Sequence, residues 1–199
     1  LGTGDMIETK GEVSTIEQHG FLCFVAGVPK KGNKACGVRV CINMRKSDKR
    51  FVHSCAYPED PLISGRLLAV RQRLPHADLL HVVCDFPTIG TKKYNIIVGR
   101  MIAWLHDLFH QLPLRVIPIL YMDTNSKFGA RKNGSLVQNI ETQCCGSHNL
   151  GVENNIGKKV RGFLEGQFMY LPHTSRPLPS TYYRGEVSSF IDHIAIPLS

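Results

Sequence analysis

Asp123 and Asn125 stand two apart at the end of an apolar run, L-R-V-I-P-I-L-Y-M-D-T-N-S-K-F-G, at residues 114–129. Six of its first eight residues are apolar, with a β-branched bias and no 3.6-residue period, so it reads as a short strand buried on both faces. Residues two apart on a strand project from one face, which sets a carboxylate beside a carboxamide at the rim of a core. The carboxylate can bind a hard cation or take a proton from water, and the amide can orient the nucleophile. That pairing suits a site for phosphate and metal. The same residues also fit a buried strand that runs into an Asx-type turn and does no chemistry.

The elements that would position such a pair alternate along the chain. Residues 21–26, F-L-C-F-V-A, read as a strand, the loop G-V-P-K-K-G-N-K as a turn-rich connection, and residues 37–42, G-V-R-V-C-I, as its partner. Residues 67–73 and 79–85 flank the turn P-H-A-D and suggest a meander of antiparallel neighbours. At residues 97–109 the period changes. Ile97, Met101, Trp104, Leu105 and Leu108 share one helical face, and Pro113 closes the segment. Residues 130–153 are polar and irregular. A second amphipathic helix starts near Asn155, with Ile156, Val160, Phe163 and Leu164 as its stripe, and residues 190–196 read as a last strand.

The 199 residues are 43% hydrophobic, enough for one sizeable core, and the expected organisation is a single domain over residues 1–199. No apolar run approaches the roughly 18 residues of a membrane span, and the first residues lack the charged and apolar regions of a signal peptide. The chain opens without an initiator methionine, almost directly on a strand-like stretch, which suggests a fragment. Seven cysteines, mostly in apolar strand-like contexts, fit neither a C-x-x-C zinc pattern nor a disulfide framework; buried thiols in a reducing, intracellular compartment are expected. Cys144, Cys145 and His148 lack a second ligand pair. Lysine and arginine outnumber aspartate and glutamate by 24 to 16, a formal charge of +8 that favours a polyanionic partner such as nucleic acid. The basic residues are dispersed, so a solvated basic surface is the alternative.

The order of short motifs carries a resemblance. Asp5-Met6-Ile7-Glu8-Thr9-Lys10 resembles the strand-end Q-E-T motif of the endonuclease/exonuclease/phosphatase (DNase I-like) family, with Glu8 at the metal-binding glutamate. I-S-G-R-L-L-A-V-R at residues 63–71 is similar to the family's next strand, and H-V-V-C-D-F-P-T at residues 81–88 to the strand ending in Y-A-P-T. Y-M-D-T-N-S-K-F-G resembles G-D-F-N-A-R-V-G. G-S-H-N-L-G at residues 146–151 and N-N-I-G at residues 154–157 resemble segments of the retrotransposon (LINE-type) branch, Thr181-Tyr182 stands where T-W is common, and F-I-D-H-I-A-I resembles Q-I-D-Y-I-L-V. Each motif alone is degenerate, and their joint order across nearly the whole chain is far more specific.

The resemblance implies a four-layer α/β/β/α sandwich of two packed mixed sheets with outer helices, incomplete at both ends. It implies hydrolysis of a phosphate ester with magnesium or manganese, acting on nucleic acid, DNA in the first place. A retroelement endonuclease would work in the nucleus. By motif position Glu8 would hold the metal, Asp123 would activate or orient the water, and Asn125 would hold the water or phosphate in line. Asp192 would match the aspartate that orients the family's histidine, and Lys127 and Arg131 are basic candidates for substrate contact.

Three departures bear on activity. The first family strand and its terminal S-D-H-x-P are not matched. Asp85 replaces the tyrosine or histidine of Y-A-P-T and, while ionised, cannot donate to a phosphate and repels it. His193 is not the terminal histidine, because Ile191, Ile194 and Ile196 fit the preceding I-D-Y-I-L strand; it stands at that strand's tyrosine, a structural position. The alternatives to an endonuclease are an inactive remnant or domesticated nucleic-acid-binding module, and a small-molecule or lipid phosphatase of the same fold.

Overall fold

Alternation of apolar and polar residues builds most of the strands. In a computed structural model, which describes residues 13–27, 37–44, 51–129, 131–132, 135–136 and 144–198, the order is β1 (Val13–Gln18), β2 (Phe21–Gly27), β3 (Gly37–Asn43), β4 (Val52–Ala56), β5 (Leu67–Arg73), β6 (Asp78–Asp85), α1 (Tyr94–His110), β7 (Val116–Asp123), β8 (Arg131–Lys132), β9 (Ser135–Leu136), α2 (Asn155–Gly166), β10 (Met169–Tyr170), β11 (Tyr182–Arg184), β12 (Val187–Ser189) and β13 (Asp192–Pro197). An antiparallel sheet of order β1-β2-β3 packs on a mixed sheet of order β10-β13-β7-β6-β5-β4, whose one parallel pairing is β6 with β7. The fold is thus a sandwich of two sheets with helices outside, as the motifs imply. Two details differ among the described residues: the smaller sheet is purely antiparallel, and both helices lie on the outer face of the larger one.

Two cores result. Leu22, Phe24, Ala26, Val38, Val40 and Ile42 of the small sheet meet Leu68 and Val70 of β5 between the sheets. On the opposite face Leu67, Ala69, Val82, Cys84 and Leu120 meet Met101 and Leu105 of α1 and Ile156, Val160, Phe163 and Leu164 of α2. Both helices bury the stripe their periodicity predicts. The Asn154 side-chain oxygen caps α2 by accepting from Gly157 N at 2.9 Å. Phe163 packs edge-to-face with His106 and Phe109, ring centroids 5.0 and 5.4 Å apart, which joins α2 to α1.

β7 corrects the expectation of a strand buried on both faces. Its burial alternates, and Ile117 is 41% exposed, because β1-β2-β3 packs over β5 and β6 and leaves the inner face of β7 partly open. β1 and β4 escape prediction because each is an edge strand of mixed polarity, V-S-T-I-E-Q and V-H-S-C-A, and β4 also carries a bulge between Val52 and Ser54. The final strand begins at Asp192, two residues later than its apolar pattern suggests. Cys23, Cys84 and Cys144 are buried thiols as expected, whereas Cys41 and Cys55 are exposed thiols on edge strands.

Candidate active site

Three adjacent strands end in carboxylates at the same level. Asp85 of β6 lies in parallel register with Asp123 of β7, and Asp123 lies in antiparallel register with Asp192 of β13. Residues in register on neighbouring strands share a face, so the three acids form a row along one edge of the larger sheet. The ladder continues past them through Phe86 N donating to Asp123 O at 2.8 Å and Thr124 N to Ile191 O at 2.9 Å. The row lines a cleft of about 1040 Å³. Val38 and Arg39 of β3 form one wall, and the 3₁₀ turn Pro172–Ser175 with Arg176 and Leu178 forms another.

Asn125 is placed by its backbone. It adopts a left-handed conformation, φ 45°, which asparagine tolerates better than most residues, and its N–H donates to Asp123 Oδ1 at 3.1 Å. Its Nδ2 donates to the Phe86 carbonyl at 2.8 Å, which ties the carboxamide to the loop after β6. The Asx turn foreseen as the alternative reading is present, and it brings the carboxamide beside the carboxylate. Asp192 is set from the other side. Thr181 Oγ1 accepts from Ile191 N and Asp192 N at 3.1 and 3.2 Å, pinning the start of β13. Buried Thr124 donates to the Ile191 carbonyl at 3.0 Å and closes the same corner.

The row is electrostatically crowded. Burial pushes the Asp123 carboxyl above the usual carboxylate range; the Asn125 amide opposes this, and the charges of Asp192 and Asp85 add to it. Burial also raises Asp85, against the pull of Arg66. Arg66 Nη1 donates to both Asp85 Oδ2, at 3.0 Å, and the Asp85 carbonyl, at 3.1 Å. The acid that stands in place of a donor is thus neutralised by its own arginine, a pairing that strand-level reading missed. Arg66 lies 19 residues earlier, and nothing local in the sequence links the two.

The other predicted residues fall as follows. Glu8 lies outside the described residues. Lys127 is exposed, its methylenes packed on Gly151, and it lines a smaller cavity of about 150 Å³ with Asn149, Ser180, Ser188, Ser189 and Phe190 rather than the cleft of the acids. Arg131 stands in β8 opposite Leu136. Magnesium and manganese prefer hard oxygen donors, and the carboxylate row with its raised Asp123 is chemically suited to such a cation. Among the described residues no three His, Cys, Asp or Glu side chains converge closely enough to hold an ion unaided.

The glycine-rich segment at residues 146–151 serves the site by close packing. A Cβ on Gly146 would meet the Thr174 carbonyl oxygen at 2.3 Å, while Gly146 N donates to Thr174 Oγ1 at 2.6 Å and His148 N to Thr174 O at 2.9 Å. Asn149 Nδ2 donates to the carbonyls of His173 and Arg176 at 2.6 and 2.8 Å. These bonds hold the wall turn against the cleft. They also seat His173 beside buried His193, Nε2 to Nδ1, at 2.9 Å.

No family sequence model matches the chain, and no curated protein matches it in sequence. Solved structures do match. The endonuclease domain of TRAS1, a telomere-specific non-LTR retrotransposon, superposes with a TM-score of 0.51 at 14% identity over 88% of this chain and 67% of that one. AP endonuclease LMAP from Leishmania major gives 0.57 at 14% identity over 90% and 62%. The 3′ phosphatase NExo from Neisseria, bound to a product DNA hairpin, gives 0.53 at 13% over 89% and 67%. The chain therefore spans about two thirds of the length of these proteins. Its architecture, two packed sheets with helices outside, is the fold these nucleases share, the DNase I-like fold.

Proposed function

We propose that this chain hydrolyses phosphodiester bonds in DNA with a divalent cation, as a retroelement-type endonuclease domain. The observation that carries the reading is the register of Asp123 with Asp192 at the floor of the cleft, with Asn125 turned back beside Asp123. Asp123 takes or orients the proton of the attacking water, and its raised pKa moves it toward the range of an effective general base. Asn125, its carboxamide held by the Phe86 carbonyl, positions water or phosphate. Asp192, its backbone pinned by Thr181, orients a neighbouring donor. Bound magnesium or manganese would neutralise charge at the phosphate, with Glu8 as its ligand and the cleft carboxylates around it. Arg39 and Arg176 on the walls supply positive charge for a DNA backbone. Such a protein would act in the nucleus.

A second reading has its own observation. The Arg66–Asp85 ion pair places a charge-neutralised acid where the family resemblance implies a donor to phosphate, which favours a module that binds nucleic acid without cutting it. Nicking of supercoiled plasmid separates the two. Cleavage that requires magnesium, stops with chelator and disappears in Asp123→Ala supports the nuclease. Folded protein that retards DNA without nicking it supports the binding module.

A further inference from the structure

We propose that His173 is a further substrate-binding residue of this cleft, presenting its Nδ1–H to a phosphate oxygen of the nucleic-acid backbone, with His193 as the positioning residue that fixes that tautomer. The proposal rests on the cleft being a phosphodiester site.

His193 sets the proton positions of the pair. Its ring is 4% exposed, its Nδ1 lies 2.9 Å from His173 Nε2, and its Nε2 is buried with no hydrogen-bond partner. Between two neutral imidazoles one nitrogen donates and the other accepts. A proton on His193 Nε2 would be a buried N–H without an acceptor, a rare and costly state, whereas a bare lone pair there is tolerated more easily. The His193 proton therefore sits on Nδ1 and donates to His173 Nε2. With that nitrogen accepting, the proton of neutral His173 is on Nδ1.

The surroundings keep the pair neutral and in place. Burial holds both imidazoles below their ordinary range, His193 down to about 3; the proximity of His173 adds to the effect there, and the Phe190 backbone carbonyl, an acceptor on the Nδ1 side because Nε2 has no partner, opposes it. A second proton on His173 would force His193 to carry its own on the unpartnered side. Phe190 stacks on His173 at 4.9 Å with planes 9° apart, and Phe128 meets His193 edge-on at 4.5 Å, so neither ring is free to turn. The carbonyl of His173 is tied to Asn149. His173 is half-buried on the cleft wall, and its Nδ1 has no partner among the described residues. A fixed neutral donor on the cleft wall can make a charge-assisted bond to an anionic backbone without rearranging.

The test has two arms. Long-range ¹H–¹⁵N correlation on the ¹⁵N-labelled chain is expected to show both rings protonated on Nδ1; a His173 ring protonated on Nε2 overturns the proposal. Binding of a short DNA duplex is then measured in chelator, so that no turnover occurs. His173→Asn, whose amide N–H falls near the Nδ1 position, keeps most of the affinity, while His173→Gln and His173→Phe lose about tenfold. Gln and Phe variants that bind as tightly as wild type overturn the role of His173 while the site reading stands. Wild-type protein that is folded, with the expected tautomers, yet binds and cleaves no DNA overturns the site reading and the substrate contact together. His193→Asn, which can still donate to His173, preserves the Nδ1–H signature that His193→Leu removes, an effect that packing alone does not produce.

Discussion

Asp192 stands directly across the sheet from Asp123, and the Thr124–Ile191 hydrogen bond at 2.9 Å continues the ladder one step beyond them. Residues 69 positions apart in the chain thus become neighbours, and their charges act on one another.

Asp123→Asn should remove the proposed nuclease activity and stabilise the fold. A carboxyl whose folded pKa is raised binds its proton more tightly when folded, so its contribution to stability falls as pH rises through that range. Asparagine is isosteric and can still accept from the Asn125 amide. The variant is expected to melt higher than wild type near pH 7.5, with the gap closing toward pH 4, while plasmid nicking drops at least a hundredfold. Thermal melts at the two pH values, with nicking assays beside them, check both parts.

Arg66→Met should leave Asp85 without its partner beside two other acids. The pair is partly exposed, so the cost lies between that of surface and buried pairs, about 1–2 kcal/mol. Asp85→Asn in the same background should recover most of it. A double-mutant cycle by urea unfolding measures the coupling, and additive single effects would show that the two side chains do not interact.

His193 should give the protein an acid-sensitive step of known sign. Its folded pKa of about 3 is below the unfolded value of 6.5, so its favourable contribution is complete above about pH 6.5 and is lost as pH falls toward 3. The slope is up to about 1.4 kcal/mol per pH unit. His173, also lowered, adds in the same direction, and raised Asp123 and Asp85 oppose it. Comparing wild type with His193→Leu isolates the term, and the leucine variant should show the flatter acid limb in denaturant titrations.

Gly146→Ala should disturb the cleft wall from outside the cleft. The added methyl meets the Thr174 carbonyl at 2.3 Å, backbone against side chain, and cannot be relieved by a rotamer change. A loss of roughly 1–3 kcal/mol is expected, together with a changed His173 imidazole signal. An unchanged spectrum and melting temperature would show that the turn yields freely.

Local pattern was enough for much of this molecule. Alternation in β2 and β3, the apolar runs of β5, β6 and β7, and the helical stripes of α1 and α2 specify their own elements, because burial on a strand or helix repeats with that element's period. Motif order pointed to the fold, and to Asp123, Asn125 and Asp192 as residues of one site. Sequence alone did not supply β1 and β4, whose edge positions need no strong apolar face, or the half-open inner face of β7, which depends on how far the small sheet extends. Nor did it supply partners. Arg66 with Asp85, Thr181 with Asp192, and His173 with His193 are each joined by strand register or loop packing between segments 11 to 20 residues apart. Register and packing are set by the whole core, so the charges and proton positions that decide what this cleft can do exist only once the chain is folded.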